Sequence, residues 1–273
     1  MPVLDSEKLI APPEHHLKRR TFLSGLLVAG IGLASGLGWL LTRQTPDLPA
    51  LSQARPAQKR LSANHFTVPI GGVQPRVIVN NIAGDVNVTG APIDEVVFQT
   101  RDQLYSPAPE ALSNVTYELS PNEDTITINV DYIRSDESLK NIVLNLQVPS
   151  NAALEIHTPY GIYVTGVSGQ MVLTTTRDDA GVNVYGDLSG NSILHAVNSI
   201  FFYGSLDPHG TYYFECDNGP VMLYLPPDSS FQLQTQADGS ITNAFKSNIV
   251  GNPPRAQVTT IAHNGLTAIA RRP

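Results

Sequence analysis

"AGVNVYGDLSG", Ala180 to Gly190, decides how this sequence is read. Gly181 and Gly186 have the spacing that opens a phosphate-binding loop, which needs Lys and then Ser or Thr directly after the second glycine. Asp187 and Leu188 stand there instead, and a carboxylate at that point repels phosphate. The glycines need another reason, and the flanking sequence supplies it.

The same phrase recurs. "PYGIYVTG", "DAGVNVYG", "VNSIFFYG", "DNGPVMLYLP", "ADGSITNAF" and "HNGLTAI" place Gly161, Gly181, Ser199, Gly219, Gly239 and Gly265 at steps of 20, 18, 20, 20 and 26 residues. A short unit repeated at such a period cannot bury its own apolar face and must stack on its neighbours. Ile162 and Val164, Val182 and Val184, Ile200 and Phe202, and Leu266 and Ala268 alternate with outward residues, the period of a strand with one buried face. A second strand precedes each turn, with Leu154 and Ile156, Met171 and Leu173, Tyr212 and Phe214, and Phe231 and Leu233 as its inward residues. The fold class expected is therefore all-β: a single-stranded parallel β-helix (β-solenoid) of five or six coils of about 20 residues, with like strands about 4.8 Å apart. Asn198, Asn218, Asp238 and Asn264 precede the turns, where Asn and Asp tolerate left-handed backbone and can stack into a polar ladder.

Upstream of the repeats, residues 63–151 are strand-rich but less regular. "PRVIVNNIAGDVNVTG" holds an early copy of the phrase at Gly84, and "VTYELSPNEDTITINVDYI" reads as two strands joined by "SPNED".

"FLSGLLVAGIGLASGLGWLL", Phe22 to Leu41, carries no charge over twenty residues, about the length that crosses a hydrocarbon core of roughly 30 Å. Lys18, Arg19 and Arg20 precede it and Arg43 follows, which places the amino terminus in the cytoplasm and the rest of the chain outside. The length favours an uncleaved anchor over a cleaved signal, whose apolar region is roughly 7 to 15 residues. "RRTFL", Arg19 to Leu23, also resembles a twin-arginine export signal, although Lys18 and Ser24 depart from that pattern. The organisation expected is a cytoplasmic tail (1–20), a transmembrane signal-anchor helix (21–42), a proline-bearing linker (43–62) and a β-solenoid domain (63–273). The localisation is single-pass in the cell membrane, with the membrane itself as partner through residues 22–41.

Residues 44–273 hold 12 basic and 21 acidic residues, a net charge of −9. Such a surface repels nucleic acid, and nucleic-acid binding is set aside. Cys216 is the single cysteine, so no internal disulfide forms. Its place in "YYFEC" marks it as a small core residue rather than a nucleophile.

"VIVNNIAGDVNVTG", "LNLQVPSNAALEIHTPYGIYVTGVSG", "VYGDLSG" and "LYLPPDSSFQLQTQADGSI" together resemble the bacterial putative-adhesin domain family, a domain of unknown function built on β-strand repeats. The resemblance covers about residues 63 to 270. It implies a single-stranded β-helix-like fold attached to a membrane anchor at the cell surface, and it brings no catalytic residues.

Chemistry is sparse. Asp178, Asp179, Asp207 and Asp217 are the carboxylates dense enough to consider for polysaccharide cleavage, but turn positions account for Asp178, Asp179 and Asp207. No histidine pair has metal-ligand spacing, and no Gly-x-Ser-x-Gly elbow or Cys–His pairing is present. No catalytic residue, cofactor or metal site is therefore expected. Tyr163, Tyr185, Phe201, Tyr203 and Tyr224 fall on the outward phase of successive strands and form the candidate binding face, with an envelope glycan or surface protein as partner. The function expected is non-catalytic binding or scaffolding at the cell envelope. A carbohydrate-active β-helix enzyme and a sensory or regulatory ectodomain stay open as alternatives, and the oligomeric state is left unassigned.

Overall fold

The structure, a computed structural model, describes residues 59–61, 65–82, 84–102, 114–120, 123–131 and 142–272. The expected cytoplasmic tail, the apolar segment 22–41 and all of the linker except Lys59–Leu61 lie outside the described residues. Among the described residues no helix is long and apolar enough to cross a membrane.

The fold is all-β and consists of two large mixed sheets. The first runs, in spatial order, β1 (Lys59–Leu61), β6 (Asn114–Leu119), β7 (Thr125–Asp131), β3 (Arg76–Asn81), β9 (Ala153–Thr158), β11 (Met171–Thr175), β13 (Asn191–Ala196), β15 (Thr211–Cys216), β20 (Ala256–Ala262), β17 (Phe231–Ala237) and β19 (Ile249–Val250). The second runs β2 (His65–Pro69), β5 (Glu95–Asp102), β8 (Ile142–Pro149), β4 (Asp85–Ala91), β10 (Ile162–Thr165), β12 (Gly181–Tyr185), β14 (Ser199–Tyr203), β16 (Val221–Leu225), β21 (Thr267–Arg271) and β18 (Ile241–Asn243). From β9 to β16 the chain alternates between the sheets, so each unit of about 20 residues gives one strand to each.

These central strands pair in parallel and in register. Ile162 lies beside Val182, Val182 beside Ile200, and Ile200 beside Val221. In the other sheet Leu154 lies beside Met171 and Leu194 beside Phe214. The expected inward residues of these units are buried, and they join one hydrophobic cluster between the sheets, in which Phe202 and Phe214 meet at 5.8 Å. Cys216 is part of the same cluster, and burial pushes its thiol pKa up. β-branched and aromatic residues suit these positions because they fill a pleated, half-buried surface.

The sheets are mixed rather than wholly parallel. β5 pairs antiparallel with β8 and with β2, β6 with β7 and with β1, and β19 with β17. Such strands occupy the open edges of the parallel runs, where unpaired backbone groups would otherwise template association.

At both ends the order of the chain departs from the order of the stack. β7 and β8 lie outside β3 and β4, although they follow them in sequence. β20 lies between β15 and β17, and β21 between β16 and β18. The expected phase fails in that last unit. Thr267 and Ile269 are buried, whereas Leu266 is 40% exposed and Ala268 points outward. The turn from Ala262 to Thr267 matches in length the turn from Cys216 to Val221, and both are one residue longer than the turn from Ala196 to Ile200; a one-residue slip reverses the face of every side chain that follows.

Two glycines of the repeat, Gly204 and Gly219, are required by close packing rather than by left-handed backbone. Of the residues before the turns, Asn264 alone adopts positive φ, and neither Gly204 nor Gly219 does. A methyl group added at Gly204 would stand 1.7 Å from the carbonyl oxygen of Gly186, and one at Gly219 would stand 1.8 Å from that of Asn198. Adjacent backbones pass too closely at these corners for any side chain. The polar ladder does form over part of its length: the Asn264 side-chain amide donates to Asn218 Oδ1 (3.4 Å), and its backbone N–H donates to Asp238 Oδ2 (3.3 Å). Asp187, which excluded the phosphate loop, accepts the backbone N–H of Ser205 at 2.8 Å in the next unit.

Candidate functional site

The outer face of the second sheet carries the aromatic residues singled out by phase. They occupy two adjacent rows: Tyr163, Asn183, Phe201 and Met222 in one, and Thr165, Tyr185, Tyr203 and Tyr224 in the other. Ring centroids are 5.5 Å apart for Tyr185 and Phe201, 5.0 Å for Phe201 and Tyr224, 6.3 Å for Tyr185 and Tyr203, and 6.2 Å for Tyr203 and Tyr224. These four rings therefore make one continuous patch in tilted contact, a geometry that aromatic pairs favour. The Arg272 guanidinium lies 5.8 Å from the centre of the Tyr203 ring, within reach of a cation–π contact.

Tyr163 stands apart, separated from Phe201 by Asn183 in the same row. It lines a shallow cavity of about 310 Å³ with Asp85, Tyr160, Arg177 and Asp179. Arg177 stacks over Tyr160 at 4.5 Å and makes two hydrogen bonds of 3.1 Å to Asp179. Burial and the nearby Asp85 push the Tyr163 phenol pKa up, so it remains a neutral hydrogen-bonding group.

The carboxylates considered for catalysis have separate engagements. Asp179 pairs with Arg177, Asp207 accepts the backbone N–H of His209 within its own turn at 3.0 Å, and Asp217 faces His195 at 3.2 Å. Asp178 lines the turn beside Thr176 and Arg177.

The outer face of the first sheet holds a constellation that sequence reasoning missed. One ligand atom from each of Glu215, Asp217 and His263 lies within 4.8 Å of the others. His263 Nε2 is 3.1 Å from Glu215 Oε1, and His195 Nε2 reaches Asp217 Oδ1 at 3.2 Å. β13, β15 and β20 are consecutive strands of the sheet, and His195 lies directly beside Glu215 in register. Burial and the Glu215 carboxylate push the pKa of the adjacent Tyr213 phenol up. A spacing rule for metal ligands within one segment cannot find such a group, because parallel stacking brings together residues 20 and 48 positions apart. The repeat period makes only the His195–Glu215 step legible; His263 arrives on a strand that enters the sheet out of chain order.

No protein-family model matches this sequence, and no curated protein matches it. Among solved structures, the chain is similar to a "putative cell adhesion protein" from Clostridium sporogenes ATCC 15579, with 15% identity and a TM-score of 0.42 over 80% of this chain and 100% of that one. It is also similar to a "putative adhesin" from Bacteroides fragilis NCTC 9343, with 12% identity and a TM-score of 0.35 over 80% of this chain and 99% of that one.

Proposed function

We propose that this chain is a membrane-anchored, extracytoplasmic, adhesin-like protein whose two sheets wind as a β-solenoid and which binds or scaffolds at the cell envelope without catalysis. The continuous patch of Tyr185, Phe201, Tyr203 and Tyr224 carries this reading. Clustered rings on an outer face offer flat apolar area with polar rims, which suits the faces of sugar rings or a partner protein surface. The neighbouring cavity at Tyr163 adds Arg177, Asp179 and Asp85, groups that hydrogen-bond hydroxyls. The apolar segment at 22–41 and the basic residues before it support the anchor and its orientation. The separate engagements of Asp179, Asp207 and Asp217 favour binding over hydrolysis, which requires two carboxylates flanking one bond.

The test is a pull-down on envelope glycans and cell-wall fragments with the purified chain and a Tyr163→Ala, Tyr185→Ala, Tyr203→Ala triple variant. Saturable binding that falls at least about tenfold in the variant, with the β-sheet circular dichroism retained, is the expected result. Binding unchanged in the variant, or absent from the wild type, removes the aromatic face from this role.

A further inference from the structure

We propose that Glu215, Asp217 and His263, joined by His195, form a binding site for a divalent transition-metal ion of the zinc class on the outer face of the first sheet. Three observations carry it.

The donor set is mixed. Two imidazoles and two carboxylates suit zinc and its neighbours, whereas calcium and magnesium select oxygen donors alone. A fully acidic cluster would give no such preference.

The geometry is close to that of a bound ion. A tetrahedral zinc site with bonds of roughly 2.0 Å places neighbouring donors about 3.3 Å apart. The His263–Glu215 and His195–Asp217 hydrogen bonds, at 3.1 and 3.2 Å, hold an imidazole nitrogen and a carboxylate oxygen at about that distance, and an ion would take the place of these bonds. The ligand atoms of Glu215, Asp217 and His263 all lie within 4.8 Å of one another, so at most about 1.5 Å must close among these three, and His195 joins them through Asp217. The side chains are 28% to 43% exposed, which leaves an entry path for the ion.

The placement is rigid. Glu215 projects from a strand held in register on both sides, His195 sits beside it on β13, and His263 directly follows β20, with its backbone N–H donating to Cys216 O at 2.8 Å. Sites built on paired strands hold ligands more closely than sites on free loops. Asn264, next to His263, donates to the backbone carbonyl of Asp217 at 3.3 Å and fixes the turn from which His263 projects. An ion here would bridge three consecutive strands, including the one that enters the stack out of chain order.

The proposal is independent of the aromatic face, and its test uses a different readout. Zinc chloride is titrated calorimetrically into the purified, untagged full chain and into Glu215→Gln and His263→Ala variants, with calcium chloride as the control ion and thermal melting recorded in parallel. His15 and His16 elsewhere in the chain make the variants decisive. The expected result is saturable zinc binding that raises the wild-type melting temperature, no response to calcium at equal concentration, and a loss of at least about tenfold in zinc affinity in each variant. Glu215→Gln keeps the side chain's shape at an outward position and keeps the test valid if His263→Ala perturbs the turn. Absence of saturable zinc binding, or binding of undiminished affinity in Glu215→Gln, overturns the proposal.

Discussion

The middle of the stack and its two ends solve the same problem under different constraints. From β9 to β16 each unit follows its neighbour in sequence and in space, and one rule suffices: bury alternate residues, turn to the other sheet, and repeat. At the ends the chain runs past its neighbour, covers the edge and returns to fill the place it left. The contrast teaches that periodicity in sequence reports adjacency only where the chain has no edge to close.

The inward row of the second sheet shows this directly. It reads Val86, Ile162, Val182, Ile200 and Val221, then Thr267 in the interleaved unit. The Thr267 hydroxyl is buried and lacks a hydrogen-bond partner. Phe214 is fully buried in the middle, whereas Phe245 near the far end retains 8% exposure, meets Phe231 edge-on and lies under Arg271.

The contrast can be broken most severely through the core. Phe214→Ala should cost about 3 to 5 kcal/mol, as a cavity opens between two sheets that cannot collapse, while Phe245→Ala should cost clearly less. Denaturant unfolding of both variants measures this, and equal costs would erase the distinction. Thr267→Val should sharpen it, raising stability by about 1 kcal/mol because an unpaired buried hydroxyl is replaced by a methyl group; a melting temperature at or below the wild-type value would show that the row tolerates Thr at no cost. The smallest effect concerns Glu155. Burial raises its pKa, but Arg76 and His157 outweigh that and hold it below 4.5. A depressed carboxyl contributes stability that is present above the unfolded value and is lost as pH falls through the folded one. Glu155→Gln should therefore flatten the acid side of the stability curve by about 0.5 kcal/mol, the scale of an exposed ion pair. An unchanged slope below pH 4.5 would leave the pair without energetic weight.

Much of the centre was legible in the sequence. Ile162, Val164, Val182, Val184, Ile200 and Phe202 were assigned inward by alternation alone, and all are buried. The outward phase of Tyr185, Phe201, Tyr203 and Tyr224 was equally readable, though not their division into two rows. What escaped has a common physical origin. Leu266 and Ala268 take the opposite face from the one alternation suggests because the turn before them, like the one before Val221, is one residue longer than the turn before Ile200. The close backbone approach at Gly204 depends on which unit lies beside it. The grouping of His195, Glu215, Asp217 and His263 depends on β20 lying next to β15, a neighbourhood set by the return of the chain rather than by its period.

The interleaved unit also separates the order of synthesis from the order of assembly. Residues 231–243 emerge from the ribosome before residues 256–271, yet their strands β17 and β18 rest on β20 and β21. The growing chain therefore cannot add its layers one upon another to the far end: β15 and β16 have no native neighbour on that flank until the later segment has been made, and that segment pairs with strands on both sides. Cutting the chain after residue 244 would not trim the outermost layer. It would remove the layer beneath it and leave β17 and β18 with nothing to rest on.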